Sequence, residues 1–160
     1  GQSVYFSKSG LKKDQYDIFK GSCALPLFCK PYVVDGIPCL DGGISDPVPV
    51  LKAFEDGCDK VVLILTRPVD QKRDQKKDVM PARLLAKAYP KAAERLLDRY
   101  RAYNDGVEIA KEYQKLGKLL IVAPDDICGL STLSKSHEKL QMMYDKGMRD
   151  AEKIGEFLKA

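Results

Sequence analysis

The stretch Tyr32-Val33-Val34-Asp35-Gly36-Ile37-Pro38-Cys39-Leu40-Asp41-Gly42-Gly43-Ile44-Ser45-Asp46-Pro47-Val48-Pro49-Val50 decides how this 160-residue chain is read. Two short apolar runs, Tyr32-Val33-Val34 and Ile37-Pro38-Cys39-Leu40, flank Asp35-Gly36. That dipeptide best tolerates the positive φ angles of a tight hairpin turn. The second run ends on Asp41, and an acidic residue leaving a strand sits at the sheet edge, where α/β enzymes place reactive groups. Gly42 and Gly43 remove side-chain bulk, so a second backbone or a substrate can come close. On its own, Asp41-Gly42-Gly43 also fits a plain turn. Pro47 and Pro49 suit the first turn of a helix that Val50, Leu51, Ala53 and Phe54 continue until Gly57.

Working outward, Asp14 is placed to cap a short helix towards Ala24, stopped by Pro26. Val4-Tyr5-Phe6 reads as a short extended stretch. Val61-Val62-Leu63-Ile64-Leu65 has no alternation and reads as a strand buried on both faces of a parallel sheet. Asp70 to Asp78 is strongly charged without apolar anchors and is expected to be a mobile loop. Helical spacing then runs through Leu84, Leu85 and Ala88, through Leu96, Leu97 and Tyr100, and through Val107, Ile109, Ala110 and Tyr113 to Gly117. Leu119-Leu120-Ile121-Val122 is a further strand. From Ser136 one amphipathic helix follows, with Leu140, Met143, Tyr144, Met148, Ala151, Ile154 and Leu158 on one face. The expected fold class is therefore α/β, a layered, mostly parallel sheet with flanking helices.

Hydrophobic content of 44% and charged content of 31% are those of a folded globular protein and argue against wholesale disorder. No uninterrupted apolar run exceeds Val61–Leu65, far short of the roughly 20 residues a membrane span needs. Gly1-Gln2-Ser3 opens no basic-then-apolar leader, so a cytoplasmic setting, peripheral to membranes, is expected. Five cysteines (Cys23, Cys29, Cys39, Cys58, Cys128) form no Cys-x-x-Cys pair and read as small core residues in a reducing compartment. Scattered thiols and a single histidine give no zinc site. Net charge is +4, with the excess confined to residues 67–101, which carry 11 basic and 5 acidic side chains. That stretch suits anionic lipid or simply a solvated helical face. Nucleic acid is not expected, because Tyr89, Tyr100 and Tyr103 fit helix packing rather than a stacking platform.

Several of these features occur together and in order. They are Ser22-Cys23-Ala24-Leu25-Pro26, the Asp35-Gly36 hairpin, Leu40-Asp41-Gly42-Gly43, Pro47-Val48-Pro49-Val50 and Lys60-Val61-Val62-Leu63-Ile64. The set resembles the C-terminal part of the patatin-like phospholipase family, closely over residues 20–66. Residues 83–153 further resemble the helical extension of a bacterial subgroup of that family. The resemblance implies a serine–aspartate dyad hydrolysing ester bonds of lipids, with Asp41 as the catalytic aspartate, in the motif Asp41, Gly42, Gly43, and with no cofactor or metal. It divides the chain into residues 1–66, part of the acyl hydrolase domain, and residues 67–160, a helical extension with one further strand. The local charge excess leads to the expectation that the basic stretch 67–101 lies near the mouth of an acyl channel, in contact with anionic membrane surface.

The family's serine lies in a Gly-x-Ser-x-Gly elbow after a glycine-rich oxyanion loop, and this sequence has neither. Gly129-Leu130-Ser131-Thr132-Leu133 and Gly43-Ile44-Ser45 both lack the closing glycine, so the chain by itself is expected to be inactive. A serine needs a partner to take its proton. His137, in Ser134-Lys135-Ser136-His137-Glu138, reads as an exposed residue of a helix's first turn, leaving the aspartate for that role. A carboxylate is intrinsically a weak base near neutral pH, and desolvation is the physical means of strengthening one. The sequence is compatible with two other readings. One is a non-catalytic binding or regulatory module of the same fold. The other is a magnesium site on Asp35, Asp41 and Asp46, disfavoured by the absence of a glycine-rich phosphate loop with lysine. The acyl chain, head group and oligomeric state are not written in the sequence.

Overall fold

Asp35 and Gly36 have φ angles of 49° and 79°, the pair of left-handed conformations that matches a two-residue turn to the twist of a hairpin. The strands they join, β1 (Tyr32–Val34) and β2 (Ile37–Cys39), pair antiparallel with Tyr32 opposite Cys39 and Val34 opposite Ile37. The structure, a computed structural model, describes residues 1–7, 13–130 and 134–160. Its remaining elements are α1 (Asp17–Ser22), a single 3-10 turn (Gly42–Ile44), α2 (Val50–Glu55), β3 (Val61–Ile64), α3 (Lys76–Ala86), α4 (Pro90–Lys115), β4 (Leu119–Val122) and α5 (His137–Lys159). The architecture is mixed α/β, with two sheets of two strands: β1–β2 antiparallel and β3–β4 parallel.

The chain forms two compact units, each built from two segments. The boundaries fall at 48/49, 72/73 and 105/106. The first unit, Gly1–Val48 with Arg73–Asp105, holds the hairpin, α1, the 3-10 turn, α3 and the first part of α4. Its core is Ile44 from the 3-10 turn, Ala82 and Leu85 from α3, and Ala93 and Leu96 from α4, flanked by Leu40, Ala92 and Leu97. Asp78, on the inward face of α3, is only 2% exposed. It receives Arg73 Nε at 3.3 Å and the guanidinium of Arg99. Asn104 completes the clamp, accepting from Arg73 N at 2.9 Å and donating to Arg73 O at 3.1 Å. The charged run expected to be a mobile loop therefore ends in a fixed, buried ion cluster. Asp78 shares the helical period of Ala82 and Leu85, and burial is tolerated because two guanidiniums satisfy it.

The second unit, Pro49–Lys72 with Gly106–Ala160, has β3 and β4 in register from Val61 opposite Leu119 to Ile64 opposite Val122. Phe54 of α2 stacks on Tyr113 of α4 with ring centroids 4.3 Å apart. The helix ends are set by glycine: Gly57 and Gly117, at φ 90° and 70°, follow α2 and α4, as C-terminal caps require. Pro90 opens α4, where its missing N–H is not needed.

Four expectations are corrected. Asp14 does not cap α1; it sits at φ 65°, outside helix and extended cap geometry alike, and the helix begins at Asp17, whose carboxylate accepts from Lys20 and Tyr32. Val4–Phe6 forms no strand; Tyr5 instead donates its hydroxyl to Asp46. β3 is not buried on both faces, since Val61–Leu63 are half-buried and Ile64 is 66% exposed in a sheet of only two strands. None of the five cysteines is buried: Cys23, Cys29 and Cys58 are exposed, and Cys39 and Cys128 are half-buried, all as free thiols. They lie at element ends or in loops, where apolar neighbours in sequence do not amount to core. α5 forms as expected, but its apolar arc is wider than the surface it meets. Met143, Ala151 and Ile154 are half-buried while Leu140, Tyr144, Met148 and Leu158 stay exposed. Among the described residues no helix is long and apolar enough to cross a membrane.

Burial of Asp78 opposes its ionisation, but hydrogen bonds and charge from Arg99 and Arg73 outweigh it and hold its carboxyl below the usual range. A depressed folded-state pKa contributes stability above the unfolded carboxylate's pKa of about 4, lost as pH falls through the folded value. Asp78→Ala is expected to destabilise the chain by about 3 kcal/mol near pH 7, because it leaves two arginines without their acceptor. The gap from wild type in urea denaturation should close as the medium is taken well below pH 4.

Candidate functional site

Asp41 is positioned from three sides. β2 delivers it at its C-terminal end, and its own N–H donates to the carbonyl of Ala24 at 2.9 Å. That bond joins the Ser22–Pro26 segment to the Asp41-Gly42-Gly43 turn, two motifs well separated in sequence. α1 lies against the hairpin closely enough that a Cβ on Gly21 would come within 2.8 Å of Val34 Cγ2 and 3.3 Å of Cys39 Cβ, so only glycine fits there. Beyond Asp41, Ile44 is buried in the first unit's core and Leu40 packs at its margin. The aspartate is thus bracketed by two apolar anchors while itself half-buried.

The carboxylate is fixed by the turn it starts. Oδ1 accepts the N–H of Gly43 at 2.8 Å, capping the 3-10 turn whose Ile44 N–H donates to Asp41 O at 3.1 Å. Among the described residues no donor meets Oδ2. One oxygen is anchored and the other is open, which is what a proton acceptor in a fixed place needs. The two glycines are not equivalent. A Cβ on Gly43 would lie 2.9 Å from Asp41 Oδ1, whereas one on Gly42 would meet only Ser22 Oγ at 3.6 Å. Sequence reading assigned both to the approach of a substrate or a second backbone; the structure gives Gly43 a nearer purpose, making room for the carboxylate itself.

The other acidic and basic candidates are elsewhere or engaged. Asp46 accepts the Tyr5 hydroxyl, and Asp35 is spent on its turn. Among the described residues no group of three or more His, Cys, Asp or Glu side chains converges to hold a metal, so Asp35, Asp41 and Asp46 are not brought together. His137 is exposed at the start of α5, in the second unit, behind the Ser136 cap that accepts from Lys139 N at 3.4 Å. Ser131, Thr132 and Leu133 of the elbow-like segment lie outside the described residues. Asp78, the most buried charge among the described residues, reads in sequence as part of a charged run; its i, i+4, i+7 relation to Ala82 and Leu85 is the signal of its inward face.

Residues 89–159, from the start of α4 to the end of α5, match a Domain of unknown function (DUF6363). The Uncharacterized protein YjjU of Escherichia coli (strain K12) is 41% identical over 58 residues, which is 36% of this chain. The match takes in 16% of that protein, so the chain spans only a small part of the length of this curated relative. No solved structure matches.

Substitutions at the paired glycines should separate. Gly43→Ala pushes a methyl into the carboxylate and should cost about 1–3 kcal/mol of stability, as overpacking does. Gly42→Ala should stay within about 0.5 kcal/mol, as substitutions away from strained positions do. Urea denaturation of the two variants measures the difference.

Proposed function

We propose that this chain is the aspartate-bearing, C-terminal section of a patatin-like lipid acyl hydrolase, with Asp41 as the base of a serine–aspartate dyad. The observation that carries the reading is the arrangement at Asp41. The Ser22–Pro26 and Asp41–Gly43 motifs are joined by the Ala24–Asp41 backbone bond, and the carboxylate is anchored through Oδ1 with Oδ2 open. In the complete enzyme Oδ2 takes the proton of a serine supplied by a segment outside these residues. The serine oxygen attacks the ester carbonyl, the alcohol leaves with the proton, and an acyl-serine remains. Water, deprotonated by the same carboxylate, then releases the fatty acid and restores the serine.

Within this reading the layered, mostly parallel sheet belongs to the whole domain. A two-stranded parallel sheet is too small to be self-sufficient, because parallel strands are ordinarily covered on both faces. The N–H of Ile121 in β4 is taken by Gln114 Oε1 at 2.7 Å, which caps the free edge of β4 there and leaves the β3 edge for further strands. Free thiols support a reducing, cytoplasmic setting. The substrate is an ester of a lipid or phospholipid, and no cofactor is called for by this chemistry.

The 160-residue chain alone should not turn over a short-chain p-nitrophenyl ester, since the oxyanion donors it lacks are each worth about 10²–10³ in rate. Steady hydrolysis blocked by a serine-directed phosphonate would overturn the assignment. In a longer polypeptide that supplies the Gly-x-Ser-x-Gly elbow, Asp41→Asn should lower kcat by about 10²–10⁴ with the melting temperature preserved, the usual loss of a general base. His137→Ala should change kcat by no more than a few fold. An active Asp41→Asn enzyme, or a parent with no elbow at all, would favour a non-catalytic module instead.

A further inference from the structure

The basic excess of residues 67–101 is not spread over the surface of the first unit; part of it is gathered on one face of α3. Asp78, Ala82 and Leu85 point into the core. Lys76, Lys77, Met80, Arg83 and Leu84, followed by Lys87 at the helix end, are exposed. Positions 76, 80, 83, 84 and 87 follow the spacing of a single helix face. Met80 is 72% exposed and Leu84 64%, one turn apart, with cations before, beside and after them.

The acidic complement of this face has been removed. Asp78, the only carboxylate within α3, is turned inward and held by Arg73 and Arg99. Asp74, ahead of the helix, stands 4.0 Å from Lys76, with both side chains largely exposed, a pairing of little strength. A bare apolar pair ringed by cations has a matching counterpart in an anionic lipid surface. Such a surface takes apolar side chains to the depth of the acyl boundary and meets lysine and arginine with phosphate and carboxylate head groups. An acidic peptide would satisfy the cations and leave Met80 and Leu84 in water.

We propose that the outer face of α3 is a docking surface for anionic lipid bilayers. The inner face of the same helix, through Ala82 and Leu85, packs against Ile44 in the turn that Asp41 begins. A membrane bound at α3 is therefore coupled to the Asp41 turn by one shared core. The proposal goes beyond the hydrolase reading and does not need it, because binding is read without any ester being cleaved.

Co-sedimentation of the 160-residue chain with sucrose-loaded vesicles tests it. Vesicles of phosphatidylcholine containing about one third phosphatidylserine should bind at low salt, vesicles of phosphatidylcholine alone should not, and binding should fall steeply towards about 0.5 M salt. Lys76→Gln with Lys77→Gln should weaken binding about 25-fold, at roughly fivefold per cation near an anionic surface. Met80→Ser with Leu84→Ser should also weaken it while leaving the salt dependence in place; all four positions are exposed, and unchanged Tm confirms the fold. Equal binding to both vesicle types, no binding to either, or indifference to the lysine changes would overturn the proposal. So would unchanged binding by the Met80→Ser, Leu84→Ser variant together with full competition by soluble polyglutamate, the behaviour of an acidic-peptide site.

Discussion

The first unit depends on one buried carboxylate. Taking Asp78 out of water carries a large desolvation penalty, and an unpaired charge there would be expelled or neutralised. Arg73 and Arg99 make burial tolerable, and in doing so they fix three parts of the chain to one point: the segment before α3, α3 itself, and α4. Asn104, on α4, binds both the N–H and the carbonyl of Arg73, so the guanidinium arrives from a backbone that is already held. Rotation of α3 about its axis is settled by the same contact. With Asp78 inward, Ala82 and Leu85 must face Ile44, and Met80 and Leu84 must face out.

Placement of Asp41 follows from smaller constraints acting in series. A turn with two positive φ angles sets the hairpin register, the register sets where β2 ends, and its end sets where the carboxylate starts. Gly21 lets α1 approach the hairpin, which brings the Ala24 carbonyl to the Asp41 N–H. Each is a local steric or hydrogen-bonding requirement, and none depends on a ligand. The arrangement around Asp41 is consequently pre-formed in the chain as it stands.

The parts legible in the sequence were those governed by local chemistry. Asp35-Gly36 announced its turn because few other dipeptides accept that geometry. Gly57 and Gly117 marked helix ends for equally local reasons, and the aliphatic runs at 61 and 119 marked β3 and β4. Illegible features depended on partners distant in sequence. Asp78 lies in a charged run and reads as solvent-facing until Arg99, a helix away, is known to meet it. The same applies to the cysteines, where apolar neighbours along the chain suggested a core that the fold does not place around them. In α5 the period was clear, but how much of the apolar arc would be covered depended on the width of the surface opposite. For Asp41 the strand end and the glycines could be read; which glycine yields to which atom could not, because that is a matter of tenths of an ångström.

The interleaving of the two units has a consequence for biosynthesis. The first unit takes residues 73–105 from beyond a segment that belongs to the second, and its core includes Leu96. As the chain leaves the ribosome, the hairpin and Ile44 precede α3 and the first turns of α4, whose apolar residues close the core around Ile44. Domains normally fold as units during synthesis; this one must hold Ile44 open while some fifty further residues are made, an interval governed by elongation at about 5–20 residues per second. A chaperone that masks short apolar segments would have several seconds in which to act, and release of a truncated chain anywhere between 49 and 96 would leave both units without a core.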